Sequence, residues 1–377
     1  MLTSFEPYPF EKLRRLFLTC SPKHSLENIA LTIGEPQFET PMFIQEELQV
    51  ATSLLNKYPK SAGEEVLKES MLLFILNNFG IKLKTSELIP TLGTREVLFN
   101  FPQFLLHGEH SPVIAYPNPF YQIYEGAALA SNAESLLMNL EIKNGFKPDI
   151  EEFKTNIKYK NIKLVMLNSP NNPTASVMSL DELSIWAELA LEHDFVLLND
   201  ECYNQIYFDK KPSSLLEASI AIGNTNFKNI LVVNSISKRS SAPGLRSGFI
   251  AGDSQLLDKY GLYRTYVGAA NGIPMQYAAA KAWGDEKHVE LAREQYRKNF
   301  VAAENILGIK VPDATFYIWL NVGDGEKFAR MAYEEQGVSV LPGEYLARGF
   351  AKEFVRIALV ENEQKCIDGL IRLAKIL

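Results

Sequence analysis

Along this chain, short and largely apolar runs closed off by turn residues alternate with longer stretches in which apolar positions return every three or four residues. The runs are Leu88 to Leu92, Val113 to Tyr116, Lys163 to Leu167, Phe195 to Leu198, Ile230 to Val233 and Phe249 to Ala251. Such runs are what strands covered on both faces need. Helical stretches separate most of them. Ser179 announces one: Glu182 three residues later completes a capping box, and LSIWAELALEH continues at helical period. Strand and helix in alternation predict an α/β fold, a mostly parallel sheet flanked by helices.

After about Gly261 the alternation fades. AAKAW, HVELAREQYRKNF and EKFARMAYEEQG read as helices around a smaller strand group at Phe316 to Leu320 and Phe354 to Ala358, so a smaller α+β domain is expected to begin there. No repeat, low-complexity segment or long Gly/Ser linker occurs, and close packing of the domains is expected.

Composition narrows the function classes. The 377 residues suit two or three domains, and 46% hydrophobic with 22% charged residues is ordinary for a globular chain. A net charge of -7 argues against general affinity for nucleic acid or anionic membrane. Cys20, Cys202 and Cys366 are odd in number and far apart, which suits a reducing compartment, with the cytoplasm expected. The opening MLTSFEPYPFEKLRRLF mixes acids and bases into its apolar residues, unlike a secretory leader, and is expected to stay in the mature chain. The apolar stretch from Met71 to Leu76 is far shorter than the roughly 20 residues that cross a bilayer. His24, His107, His110, His193 and His288 show no metal-ligand spacing, and neither GxxxxGK[ST] nor GxGxxG occurs. No metal is expected, and the histidines are assigned to surface or capping positions.

Three predicted strand ends carry chemistry. Asp200, in NDECY, follows the run FVLL, at the carboxyl end of a strand, where open α/β sheets bind ligands. Taken alone it would be a cap or turn former. Asn168 to Thr174, NSPNNPT, ends a second strand in what by itself is a turn. SISK ends a third, placing Lys238 in a serine-rich loop with Arg246 eight residues on; alone, such a lysine is a solvated charge.

Together, NSPNNPT, DECY and SISK with the following arginine resemble the ordered motifs of the fold-type-I, class I/II aminotransferases. The likeness extends to GEPQFETP, LGTRE, the Pro-Phe-Tyr segment and FVRIAL, spanning almost the whole chain. It implies the fold of pyridoxal-5′-phosphate (PLP) dependent transferases. Residues 1–40 would be an N-terminal segment belonging to the small domain and active-site entrance, 41–265 the large cofactor-binding domain and 266–377 the C-terminal small domain.

The same resemblance implies residue roles. Lys238 would carry the cofactor as a Schiff base and move the substrate proton. Asp200 would keep the pyridine nitrogen protonated. Tyr203 and Asn172 would donate to the cofactor's O3′ oxygen, and Tyr121 would stack on its ring. Gly93, Thr94, Arg95, Ser235 and Arg246 would receive the phosphate, with backbone N–H groups of LGTRE at a helix start. Tyr58 would reach that phosphate from the neighbouring subunit, implying a homodimer with shared active sites. Arg356 would grip the substrate α-carboxylate, with Gly34 contacting it through its backbone; a structural salt bridge is the competing reading of this arginine. Two departures stand out: Ala175 replaces the glycine common after Pro-Thr, and Ser247 follows Arg246 where an aliphatic residue is frequent.

Longer strings, PYPFEKLRRLF, DECYNQIYFD, SISKRSSAPGLRSGFIAGD and LYRTYVGAAN among them, look like the proteobacterial N-succinyl-L,L-diaminopimelate aminotransferases of lysine and cell-wall precursor synthesis. That implies amino transfer between glutamate/2-oxoglutarate and N-succinyl-2-amino-6-oxopimelate/N-succinyl-L,L-diaminopimelate. Arg239, Arg264 and Arg15 are the candidates for the distal carboxylates. Aminotransferases of N-acetylornithine, aspartate or aromatic amino acids, and a fold-type-I lyase, would share most of these residues. A ligand-sensing regulator would need an attached nucleic-acid-binding segment, which the chain does not display.

Overall fold

The computed structural model describes residues 5–377 except His24 and Tyr159. A seven-stranded sheet forms its centre. Reading across, the strands are Leu88–Thr91, Gly248–Gly252, Ile230–Ser235, Val196–Asp200, Ile162–Asn168, Val113–Asn118 and Glu134–Asn139. Gly248–Gly252 runs antiparallel to both neighbours and the other pairs are parallel. All six apolar runs became strands. The seventh, ESLLMN at the sheet edge, is half exposed and lacks a continuous apolar run, which is why its pattern did not announce it. The helix Leu180–Glu192 begins with the expected reciprocal box between Ser179 and Glu182.

The packing divides later than residue 265. Helix Ile273–Gly284 lies on helices Met42–Ala51 and Glu65–Phe79, and its Ala278, Ala279, Ala282 and Trp283 join the cluster under the large sheet. The alanines let the backbones approach, and Trp283 fills the space between Phe74 and Phe249. The second cluster begins with helix Lys287–Leu307 and encloses the three-stranded antiparallel sheet Leu341–Pro342, Phe354–Ala358 and Tyr317–Asn321. Leu13, Leu16, Ile29 and Leu31 of the N-terminal segment pack into this second cluster, and Ile29–Ala30 pairs with Val338–Ser339.

One histidine departs from its expected place. His288 is buried, bridging Asp285 and Ser240, and burial pushes its pKa down. His24 falls outside the described residues.

Candidate active site

The carboxyl ends of three adjacent strands meet the small domain around a cavity of about 470 Å³. Register places Asn168 beside Asp200, one strand over from the Ile230–Ser235 end. Asp200 is buried; it accepts from the Cys202 backbone N–H at 3.2 Å and from the Tyr124 hydroxyl at 3.3 Å. Burial pushes its carboxyl up to about 6, against those two donors and the nearby Lys238. A carboxylate so placed attracts a cation.

Lys238 projects from the one-turn helix Ile236–Arg239, which Ser235 caps by accepting from Ser237 N–H. Its Nζ donates to the Gly34 carbonyl. Burial lowers its pKa, bringing the amine nearer the neutral, nucleophilic form.

One end of the cavity is an anion cradle. Thr94–Leu105 starts a helix there, and its N-cap Gly93 has φ +81°, a conformation glycine adopts freely. A Cβ at Gly93 would stand 3.0 Å from Arg246 Nη2, so the glycine also lets the guanidinium approach the helix start. Arg246 is held by the carbonyls of Pro243 (2.8 Å) and Leu92 (3.0 Å) and pairs with no carboxylate among the described residues. The Ser235 and Ser237 hydroxyls, 2.8 Å apart, line the same cavity. Arg95 donates to the Tyr121 hydroxyl at 2.7 Å, and the Tyr121 ring meets Tyr124 edge-on.

Arg356, also on the cavity wall, is buried with its two Nη atoms on neutral oxygens, Asn172 Oδ1 at 2.8 Å and the Thr32 carbonyl at 2.6 Å. Its guanidinium lies 4.4 Å from the Tyr317 ring centre and its Nε has no partner among the described residues. No carboxylate within the described residues pairs with it, so the salt-bridge reading has no acid to support it.

A description of the class I and II aminotransferases matches residues 27–368. The chain belongs to that family. Among solved structures, an aminotransferase from Helicobacter pylori is 49% identical with a TM-score of 0.95, 99% of each chain being covered. One from Neisseria meningitidis is 39% identical, also at 0.95, covering 100% of this chain and 98% of that one. An LL-diaminopimelate aminotransferase of Dehalococcoides mccartyi is 29% identical over 99% of this chain and 97% of its own length.

The cofactor of the family is pyridoxal 5′-phosphate, and the donor set in this aminotransferase fits it. Asp200 offers a buried carboxylate to a ring N–H⁺, the cradle at Gly93, Ser235 and Arg246 suits a phosphate, and the Lys238 amine lines the same cavity.

Of the residues singled out from the sequence, Gly34, Thr94, Arg95, Tyr121, Asn172, Asp200, Tyr203, Ser235, Lys238, Arg246 and Arg356 line the one cavity, with Gly93 against Arg246. Tyr58 does not; it is 99% exposed and outside the cavity of its own chain. The three distal-carboxylate candidates are corrected. Arg239 is spent on Glu286 and the Ala282 and Asp285 carbonyls, Arg264 on Glu96, and Arg15 pairs with Glu11 on the surface. None lines the cavity.

Ser237, Tyr124 and Tyr317 were missed. Ser237 lies inside SISK and Tyr124 one helical turn past Tyr121, so both had a spacing signal. Tyr317 sits in FYIWL, where nothing distinguishes it from a core position. Both departures have local settings: Ser247 accepts from Trp283 Nε1 at 3.3 Å, and Ala175 takes the left-handed φ of +61° that glycine would relax.

Proposed function

We propose that this aminotransferase moves an amino group between glutamate and N-succinyl-2-amino-6-oxopimelate, Lys238 being the attachment and proton-transfer residue. The observation that carries the reading is Arg356, a buried cation that meets no acid among the described residues, facing the same cavity as the Lys238 amine and the Asp200 carboxylate. Pyridoxal phosphate supplies an aldehyde carbon for amines and a ring that accepts the electron pair left when Cα loses its proton.

The chain's residues do the rest. Asp200 holds a proton on the ring nitrogen, its burial making a cationic partner more valuable to it than water. Ser235, Arg246 and the backbone of Gly93, Thr94 and Arg95 would hold the phosphate. Tyr203 and Asn172 would donate to the ring oxygen, and Tyr121 would stack on the ring. Arg356 takes the α-carboxylate in its planar fork, with Gly34 beside it, which aims the Cα–H at Lys238 Nζ. Lys238 Nζ, its pKa lowered by burial, then takes that proton.

The substrate assignment rests on the long family strings and is supported by relatives that carry the name LL-diaminopimelate aminotransferase. Other relatives are named for aspartate and aromatic amino acids. With Arg239, Arg264 and Arg15 committed elsewhere, Arg95 is the cavity cation left for a distal carboxylate, its guanidinium bound, among the described residues, to a tyrosine hydroxyl alone. A homodimer completes the site, Tyr58 of one copy reaching the phosphate of the other; the exposed Leu55, Tyr58, Leu262 and Tyr266 support an apolar contact face.

Borohydride reduction of the holoenzyme followed by peptide mapping tests the centre of this reading: a pyridoxyl group is expected on the Lys238 peptide, and its absence there refutes it. With 2-oxoglutarate fixed, kcat/KM is expected to be highest for N-succinyl-L,L-diaminopimelate among a panel with N-acetylornithine, aspartate and phenylalanine. A clear win by another donor removes the substrate assignment, and ammonia released in place of stoichiometric oxo acid removes amino transfer.

A further inference from the structure

Tyr317 opens the strand Tyr317–Asn321 and touches three functional groups at once. Its hydroxyl lies 2.9 Å from that of Tyr203, its ring is covered by the Arg356 guanidinium at 4.4 Å, and Gly34 passes so close that a Cβ there would stand 1.8 Å from the Tyr317 oxygen. Both tyrosines are buried and line the cavity. Among the described residues, each phenol has the other as its hydrogen-bond partner and no second one.

Two phenols carry two protons, and one of these lies between the oxygens. The donor in that bond leaves the other phenol's proton for a third group. Burial pushes the Tyr317 phenol up, but the Arg356 cation and the Tyr203 contact pull it down. Burial holds Tyr203 well above its ordinary range, with Tyr317 and Cys202 adding to the rise. The guanidinium of Arg356 lies on the Tyr317 ring, and a cation there favours release of that ring's phenolic proton, which makes Tyr317 the better donor of the pair. Arg356, Cys202 and, for Tyr317, Tyr8 are the other titratable groups whose charge reaches them.

We propose that Tyr317 is a positioning residue of the amino-transfer site: it donates to the Tyr203 oxygen and so turns the Tyr203 proton into the cavity, toward the ring oxygen of bound pyridoxal phosphate. This rests on the role of Tyr203 given under the proposed function. It also gives a physical reason for glycine at position 34, since any side chain there would displace the Tyr317 hydroxyl.

The holoenzyme's visible absorbance, titrated with pH, reads this arrangement directly. A donor to the ring oxygen stabilises its anionic form and holds the titration midpoint down. Tyr317→Phe is expected to raise the midpoint by about half a pH unit, the scale of part of one hydrogen bond. Tyr203→Phe raises it further, and the double variant titrates with Tyr203→Phe, because Tyr317 acts through Tyr203. An unmoved midpoint in Tyr317→Phe, or shifts that add in the double variant, overturns the proposal. Replacing Tyr317 with 3,5-difluorotyrosine, a stronger acid of similar size, lowers the midpoint; a rise overturns the proposal as well. Borohydride mapping of the same wild-type sample separates the two readings: a labelled Lys238 with an unmoved midpoint removes only the role of Tyr317, and an unlabelled Lys238 removes both.

Discussion

Arg264 and Arg356 are about equally hidden, at 1% and 3% exposure, yet they sit in different electrostatic company. Arg264, on helix Ser254–Val267, gives Nε to Glu96 of the cradle helix at 2.6 Å and Nη2 to the same carboxylate at 3.1 Å, and carbonyls of Ser61 and Ala269 take more of its protons. Arg239 is settled the same way by Glu286 and two carbonyls, lying 4.9 Å from the Phe74 ring centre. Among the described residues, Arg356 has only neutral oxygens and a tyrosine ring. An unbonded Nε does not separate the classes, since Arg239 has one too. The carboxylate does. A buried guanidinium whose charge is balanced within the chain is part of the architecture, and one whose charge is not balanced is built for an anion from outside.

Removing either arginine therefore has opposite consequences. Arg264→Ala leaves Glu96 enclosed without its cation and is expected to cost about 3–5 kcal/mol of stability, read as a lowered urea midpoint. In the fraction that folds, substrate KM stays near the parent value. Stability unchanged by this substitution would break the comparison.

Arg356→Ala is expected to lower kcat/KM for amino donors by about two to three orders of magnitude, the loss of a charged partner at a desolvated site. Cofactor absorbance and melting temperature stay within a small shift of wild type, because no internal acid is orphaned. Arg246→Ala sharpens the same point at the anion cradle: cofactor retention weakens, by about tenfold to a hundredfold, given that this guanidinium is exposed. Equal cofactor loss in both variants would erase the division between the two anion sites.

The same distinction applies to two neighbouring acids. Asp200 faces the cavity, whereas Glu201 turns the other way and is saturated by Leu215 N–H, Ser214 and Asn199. Burial pushes Glu201 up to about 8, against those donors. Between about pH 4.5 and 8 the folded chain then keeps a proton that the unfolded chain has lost, so this group makes stability fall as pH rises. The urea midpoint of the apoenzyme is expected to decline from pH 5 to pH 8, and Glu201→Gln to flatten much of that decline. An unchanged slope in the variant would show that Glu201 is ionised throughout.

The smallest effect concerns Ala175. Left-handed backbone costs an L-residue about 1–2 kcal/mol, and glycine's extra freedom when unfolded returns part of that, so Ala175→Gly should stabilise by about 0.5 kcal/mol. A lower melting temperature in the variant would mean the alanine methyl contributes more by packing than its backbone costs.

Much of the fold was legible because period and burial go together. Strands buried on both faces must be apolar throughout, and all six such runs were visible, as was the box that starts helix Leu180–Glu192. The edge strand Glu134–Asn139 is half solvated, so no such demand shaped its sequence. Helix Ile273–Gly284 followed the last strand of the large sheet and looked like the start of the next domain; only its alanine face against Met42–Ala51 and Glu65–Phe79 assigns it to the first cluster.

The site divides along the same line. Lys238, Asp200, Tyr203, Asn172, Arg246 and Arg356 could be named from the sequence because ordered short motifs carry them, and motifs are local. Charge balance is not local. Whether an arginine meets an acid depends on partners far along the chain, Glu96 for Arg264 at a separation of 168 residues and Thr32 for Arg356 at 324. Arg239 and Arg264 thus looked as available as Arg356 until the fold brought carboxylates to the first two and none to the third. Tyr317, read as one more apolar strand position, became a partner of Tyr203 by a contact spanning 114 residues. The sequence determined which side chains exist at the strand ends; the tertiary structure decided which of their charges and protons are already spoken for.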